Sequence, residues 1–195
     1  MAGNLILVLG DQLDRGSSAF DGFDRGRDRV WMAEVAEEST HVWTHKARIA
    51  VFLAGMRHFR DRLQAEGIDI DYRELPAKPA AKEPGTLAAA LAASLAALSK
   101  AGRRPARLIV VEPGEWRVQE ALRAAAEAAG IPLEIRPDRH FFSSRDAFAA
   151  HAEGRKQLRL EYSHSGFHNS RTFYHLRKKH FSTSKIIAHD IHSIH

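Results

Sequence analysis

An α/β fold, an open and mostly parallel five-stranded Rossmann-like sheet with helices on both faces, is what the sequence predicts. Three observations carry it. Short apolar runs of strand length alternate with longer segments of helical period. The runs are apolar on both faces, as strands buried between two helical layers must be. Gly67, Gly102 and Gly130 each stand just past a helical segment, where a left-handed residue ends a helix. Such alternation is the pattern of βα units feeding one parallel sheet.

Asn4–Leu9 is the first strand, closed by the turn chemistry of Gly10-Asp11, and Arg29–Val35 is the second, with a short helix expected between them. His45–Gly67 places Ile49, Phe52, Leu53, Met56, Phe59 and Leu63 at helical spacing. Ile68–Leu75 alternates Ile68, Ile70 and Tyr72 with acids, so it is a strand nearer a sheet edge. A Pro/Lys/Ala-rich loop spans Pro76–Gly85, and Thr86 then caps an Ala/Leu-rich helix running to about Lys100. Arg107–Val111 is a fourth strand, Trp116–Ala129 a helix and Ile131–Ile135 a fifth strand.

The texture changes after Pro137. Residues 1–136 form the α/β domain; residues 137–162 read as a connector anchored by Phe141, Phe142 and Phe148, with a helix through Glu153–Tyr162. Residues 163–195 hold seven of the twelve His without any repeating spacing, and we expect an irregular tail of shifted-frame or foreign origin.

Composition sets limits on function. The chain has no Cys, which excludes disulfides and Cys-ligated zinc or iron–sulfur sites within it. Leu5–Leu9 is too short to span a membrane and lacks a basic leader, so a cytoplasmic location without membrane contact is the expectation. The net charge of +5 invites a nucleic-acid reading, yet Arg177, Lys178, Lys179 and Lys185 concentrate much of the excess in the tail.

Ligands of open α/β sheets bind beyond the carboxyl ends of the strands, near the switch in strand order. Three strand ends therefore matter: Gly10-Asp11-Gln12-Leu13, Glu34 to Glu38, and Glu112-Pro113-Gly114-Glu115-Trp116. Gly10 lets backbone approach a ligand; Asp11, Gln12, Glu38 and Glu115 can hydrogen-bond its polar edge, or serve only as turn formers and solvated acids. Gly10 has no glycine partners at dinucleotide-fold spacing and no Walker sequence occurs, so this is no ordinary phosphate cradle. Thr44-His45-Lys46-Ala47-Arg48 puts basic residues at a positive helix end, which suits either anion contact or a solvated first turn. Of Met56-Arg57-His58-Phe59, Arg57 and His58 are expected to face outward.

Leu7-Val8-Leu9-Gly10-Asp11-Gln12-Leu13, Glu34-Val35, His45-Lys46 with Ile49-Ala50, and Ala54-Gly55-Met56-Arg57-His58-Phe59 stand in an order that resembles a known family. Glu112-Pro113-Gly114-Glu115-Trp116-Arg117-Val118, Asp138-Arg139-His140-Phe141 and Gly154-Arg155-Lys156 through Glu161-Tyr162 continue it. The chain resembles the amino-terminal domain of prokaryotic photolyase–cryptochrome proteins of the iron–sulfur bacterial cryptochrome and (6-4) photolyase group. The resemblance is expected to end at Tyr162, where Ser163-His164-Ser165 replaces an aromatic-basic helix.

This resemblance implies an antenna chromophore, 6,7-dimethyl-8-ribityllumazine, as cofactor and partner of the α/β domain. Its contacts would fall on Gly10, Asp11, Ala33, Glu34, Val35, Ala36, Glu37, Glu38, Ser39, Thr40, His41 and Glu115; Ala33, Glu37 and His41 depart from the family pattern. FAD, an iron–sulfur cluster and the DNA-lesion pocket are implied for a helical domain downstream, not for these residues. The expectation is thus a truncated deoxyribodipyrimidine photolyase-related chain, inactive alone as a DNA-repair lyase or photoreceptor and self-associating through its exposed connector. A free-standing α/β nucleotide-binding or regulatory protein, and a nucleic-acid binder acting through the tail, are the rival readings.

Overall fold

A computed structural model describes residues 3–40, 45–76, 85–141 and 144–154. The chain divides into two units, residues 1–140 and 141–195. In the first, five strands form one parallel sheet of order β3-β2-β1-β4-β5: β1 Leu5–Leu7, β2 Arg29–Ala33, β3 Ile70–Arg73, β4 Leu108–Val111 and β5 Leu133–Arg136. This is the predicted fold. The sheet starts at β1, grows one way through β2 and β3, then restarts on the other side of β1 with β4 and β5.

Period-two alternation sorts the central strands between two cores. Leu5, Leu7, Leu9, Trp31, Ala33, Leu108 and Val110 pack on one face with α3 (Leu87–Lys100) and α4 (Trp116–Ala128). Ile6, Val8, Val30, Met32, Ile109 and Val111 meet α2 (Lys46–Ala65) on the other, through Met56, Phe59 and Leu63. Both faces of β1 and β4 are therefore dry, which explains their unbroken apolar runs. The third strand lies at an edge, in keeping with its alternation, and its residues are half-buried.

Trp31 is fully buried, and its indole Nε1–H donates to Ser94 Oγ at 3.0 Å, tying β2 to α3. Thr86 caps α3 by accepting from the Ala89 N–H, as expected. Gly67, Gly102 and Gly130 have φ of +74°, +69° and +61° just beyond their helices. His45 caps α2 through Nδ1, which accepts from the Ala47 N–H at 3.2 Å.

Several local expectations are corrected. The short helix between the first strands is a 3₁₀ turn, Ser18–Phe20. A five-residue helix, α1 (Ala36–Thr40), follows β2, where the sequence pattern announces none. Arg57 does not simply face outward: its guanidinium turns back onto buried Glu34.

In the second unit, α5 spans Arg145–Ala152, capped by the Ser144 hydroxyl. Glu153 and Gly154 form a turn, with Gly154 at φ +69°, rather than opening the expected helix. The rest of that expected helix, from residue 155 on, lies outside the described residues, as do the His-rich tail and Phe142. Phe141 and Phe148 are exposed. Among the described residues, no helix is long and apolar enough to cross a membrane.

Candidate functional site

The order of the sheet fixes where a site can form. Connections leave β1 and β4 toward opposite sides, so their carboxyl ends part and leave a crevice. There the structure holds a cleft of about 410 Å³, within the range of roughly 300–1,000 Å³ typical of small-molecule sites.

Three strand ends line it, with residues from α1, α2, α3 and α4. Leu9, Gly10 and Asp11 come from the turn after β1; Ala33, Glu34 and Val35 from the end of β2; Pro113, Gly114 and Glu115 from the turn between β4 and α4. Ile49, Phe52, Leu53 and Met56 supply an apolar wall from α2, which also brings Arg48 into the lining. Glu38 of α1 and Arg117 of α4 complete the rim.

Gly10 is needed for a close approach. A Cβ there would lie 2.4 Å from the tip of the Phe52 ring and 3.0 Å from Met56 Sδ. The missing side chain lets Phe52 lie over the β1 turn.

Glu34 anchors the rear wall. Its side chain is fully buried, and each carboxylate oxygen accepts two hydrogen bonds. Oε1 takes Arg57 Nε–H at 2.8 Å and the Tyr72 hydroxyl at 2.5 Å; Oε2 takes Arg57 Nη2–H and the Leu75 N–H, both at 2.9 Å. Burial pushes the carboxyl pKa up, but the bonds from Arg57, Tyr72 and Leu75 outweigh it and hold the value below the ordinary one. Tyr72 is shifted up in turn, by burial and by donating to this carboxylate. With its acceptor sites filled, Glu34 shapes the cleft and has little left to offer a ligand.

The rim is built differently. Arg117 meets Glu37, Glu38 and Glu115, each at 3.1 Å, so one guanidinium joins α1 to the start of α4. Its Nε is buried and makes no hydrogen bond. Asp11 is exposed as a residue, but the protein around its carboxyl desolvates it and raises its pKa, and repulsion from Asp138 and Glu115 adds to the rise. Gln12 is buried, with its amide donating to the carbonyls of Val111 (3.4 Å) and Glu112 (3.1 Å). It stitches the β1 turn to the end of β4 and does not line the cleft.

Of the residues singled out in the sequence, Gly10, Asp11, Ala33, Glu34, Val35, Glu38 and Glu115 thus meet in one cleft. Glu37 reaches the rim only through Arg117, and Ala36 does not line the cleft. The side chains of Ser39 and Thr40, and the whole of His41, lie outside the described residues. Sequence reasoning missed Arg117 as the clamp, and Phe52 and Met56 as walls. The helical period marked the latter two as core, and nothing in the Arg117 spacing announces three distant acids.

The family model described as deoxyribodipyrimidine photo-lyase-related protein matches residues 6–182. That match runs past Tyr162, where the resemblance was expected to stop, and into the His-rich segment. The chain is also 38% identical over 158 residues to a protein of Agrobacterium fabrum named "(6-4) photolyase". The alignment covers 81% of this chain and 30% of that relative.

Proposed function

The chain belongs to the deoxyribodipyrimidine photo-lyase-related family, and on that premise we propose that its strand-end cleft is an antenna site binding 6,7-dimethyl-8-ribityllumazine. The observation that carries the reading is a coincidence of place. Seven residues chosen from sequence share one cleft at the switch point of the sheet.

The residues suit such a molecule. Phe52, Met56, Leu53 and Ile49 offer an apolar wall to a flat heteroaromatic ring. Glu38, Glu115 and Asp11 are acceptors for ribityl hydroxyls, and the unused Nε–H of Arg117 is a donor to a hydroxyl or ring oxygen. Gly10 keeps the β1 turn low beneath the ring wall. When bound, the chromophore supplies absorption of light and transfer of that energy to a flavin. The chain's own part is to hold it, exclude water from its faces and fix its orientation.

The wider activity, light-driven DNA repair or blue-light sensing with FAD and an iron–sulfur cluster, is proposed for the whole protein of this family and not for the cleft. The chain spans 30% of the relative's length. A fluorescence titration with the lumazine tests the antenna reading, using the wild type, Glu38→Ala and Glu115→Ala. Loss of an acceptor leaves a ligand donor unpaired, and we expect affinity to fall about ten- to a hundredfold. No binding by the wild type overturns the reading, and equal affinity in all three removes both acids from it.

A further inference from the structure

Resting on that reading of the cleft, we propose that its rim is a charge filter. It admits an uncharged, polyhydroxylated heteroaromatic and rejects the phosphate ester of the same molecule, with Arg117 as the positioning residue that holds the filter in shape.

The argument starts from where helices begin. The first turns of α1, α2 and α4 surround the cleft, and a helix start with its free N–H groups ordinarily attracts phosphate. This chain places its own acids at the starts of α1 and α4, while the start of α2 carries Lys46 and Arg48. Glu37 and Glu38 occupy the first turn of α1, and Glu115 stands at the cap position of α4. At α1 and α4 carboxylates thus occupy the ground that a phosphate would need. Asp11 adds a fourth acid from the β1 turn.

Two guanidiniums, with Lys46 at the start of α2 outside the lining, oppose these four acids and leave an excess of one negative charge. Arg117 is already committed to three of them at 3.1 Å each, and Arg48 lines the cleft from α2. Glu34 and Arg57 neutralise each other and leave the balance unchanged. The rim therefore keeps an excess of negative charge, although the chain as a whole is positive. A hydroxyl donates to a carboxylate at no electrostatic cost, whereas a phosphate dianion has only acceptors and is repelled.

Arg117 makes this arrangement possible. Without it Glu37, Glu38 and Glu115 would repel one another and α1 would lose its tie to α4. It acts through the acids and so positions them.

The test compares ribityllumazine with its own 5′-monophosphate, titrated by fluorescence into the full chain at low and at high salt. At low salt we expect the ester to bind at least about tenfold more weakly, since its two charges lie within a Debye length of an uncompensated rim. High salt should close the gap. The double substitution Glu37→Gln with Glu115→Gln should narrow it at low salt. Arg117→Ala should weaken the parent alcohol, and Arg117→Lys should restore part of the loss by returning the charge without the fork. Melting curves show whether each variant is folded, and the double substitution tests the filter even if Arg117→Ala does not fold. Equal or tighter binding of the ester at low salt overturns the filter and makes Arg48 a phosphate hook. In that case the alcohol still binds and the antenna reading stands; if neither ligand binds, both fall.

Discussion

Replacing Glu34 by Gln should cost this protein about 3–4 kcal/mol, because of what the carboxylate does behind the cleft. It accepts four hydrogen bonds while fully buried, two of them from a guanidinium. The amide keeps a carbonyl for two of these donors, but its NH₂ group points donors at the other two. One partner of an ion pair is also lost. Breaking a buried pair by removing one member costs roughly 3–5 kcal/mol. Arg57 is 40% exposed and recovers water, which places the expected loss toward the lower end. For a domain of this size 1 kcal/mol is worth roughly 2–4 °C in Tm, so a drop of about 10 °C should appear in a calorimetric or circular-dichroism melt. The same carboxyl fixes the acid limb of stability. Its pKa is lowered in the fold, so its contribution is present above its ordinary value of 4.5 and is lost as pH falls through the lower folded value. The wild-type Tm should therefore fall toward the variant's as pH drops below 4.5. A Tm within 2 °C or so of wild type at pH 7, or an unchanged gap at low pH, would refute the account of Glu34 as a charged anchor.

Other outcomes follow from the same geometry. Gly10→Ala brings a methyl against the Phe52 ring tip, which can swing aside, so stability should drop by only about 1–2 kcal/mol while lumazine affinity falls clearly, read by melt and titration together. Asp11 has a raised carboxyl pKa, so its charged form is a liability in the fold above that value. Asp11→Asn should raise Tm slightly at pH 7, with the gain vanishing as pH falls to the ordinary value of 3.8 and below. Trp31→Phe leaves the buried Ser94 hydroxyl without its donor and opens a void, a loss of about 2–3 kcal/mol in denaturant unfolding. Adding Ser94→Ala should recover part of it.

The fold class was legible in the residues because both faces of the central sheet are dry. Strands such as Leu108–Val111 are buried throughout, so each had to be a continuous apolar run, and α2, α3 and α4 each end at a glycine that turns left-handed. Even the edge position of β3 was legible, because only a strand with solvent on part of its surface tolerates Asp69 and Asp71 beside Ile68, Ile70 and Tyr72. The rule that ligands gather at strand ends then singles out Gly10, Asp11, Glu38 and Glu115 from chain position alone. What these acids do was not legible. Glu34 and Glu38 are four residues apart, and only the tertiary structure makes the first a buried, saturated anchor and the second a rim acceptor. Arg57 lies 23 residues from Glu34, and Arg117 lies 79 from Glu38; a pairing across such distances leaves no local period to read. Phe52 and Met56 carry the helical spacing of core residues, yet α2 overhangs the strand ends, so part of that apolar stripe faces a cleft instead of the sheet. Chain-local chemistry decides which elements form; which side chains share a site is decided by the packing that brings remote elements together.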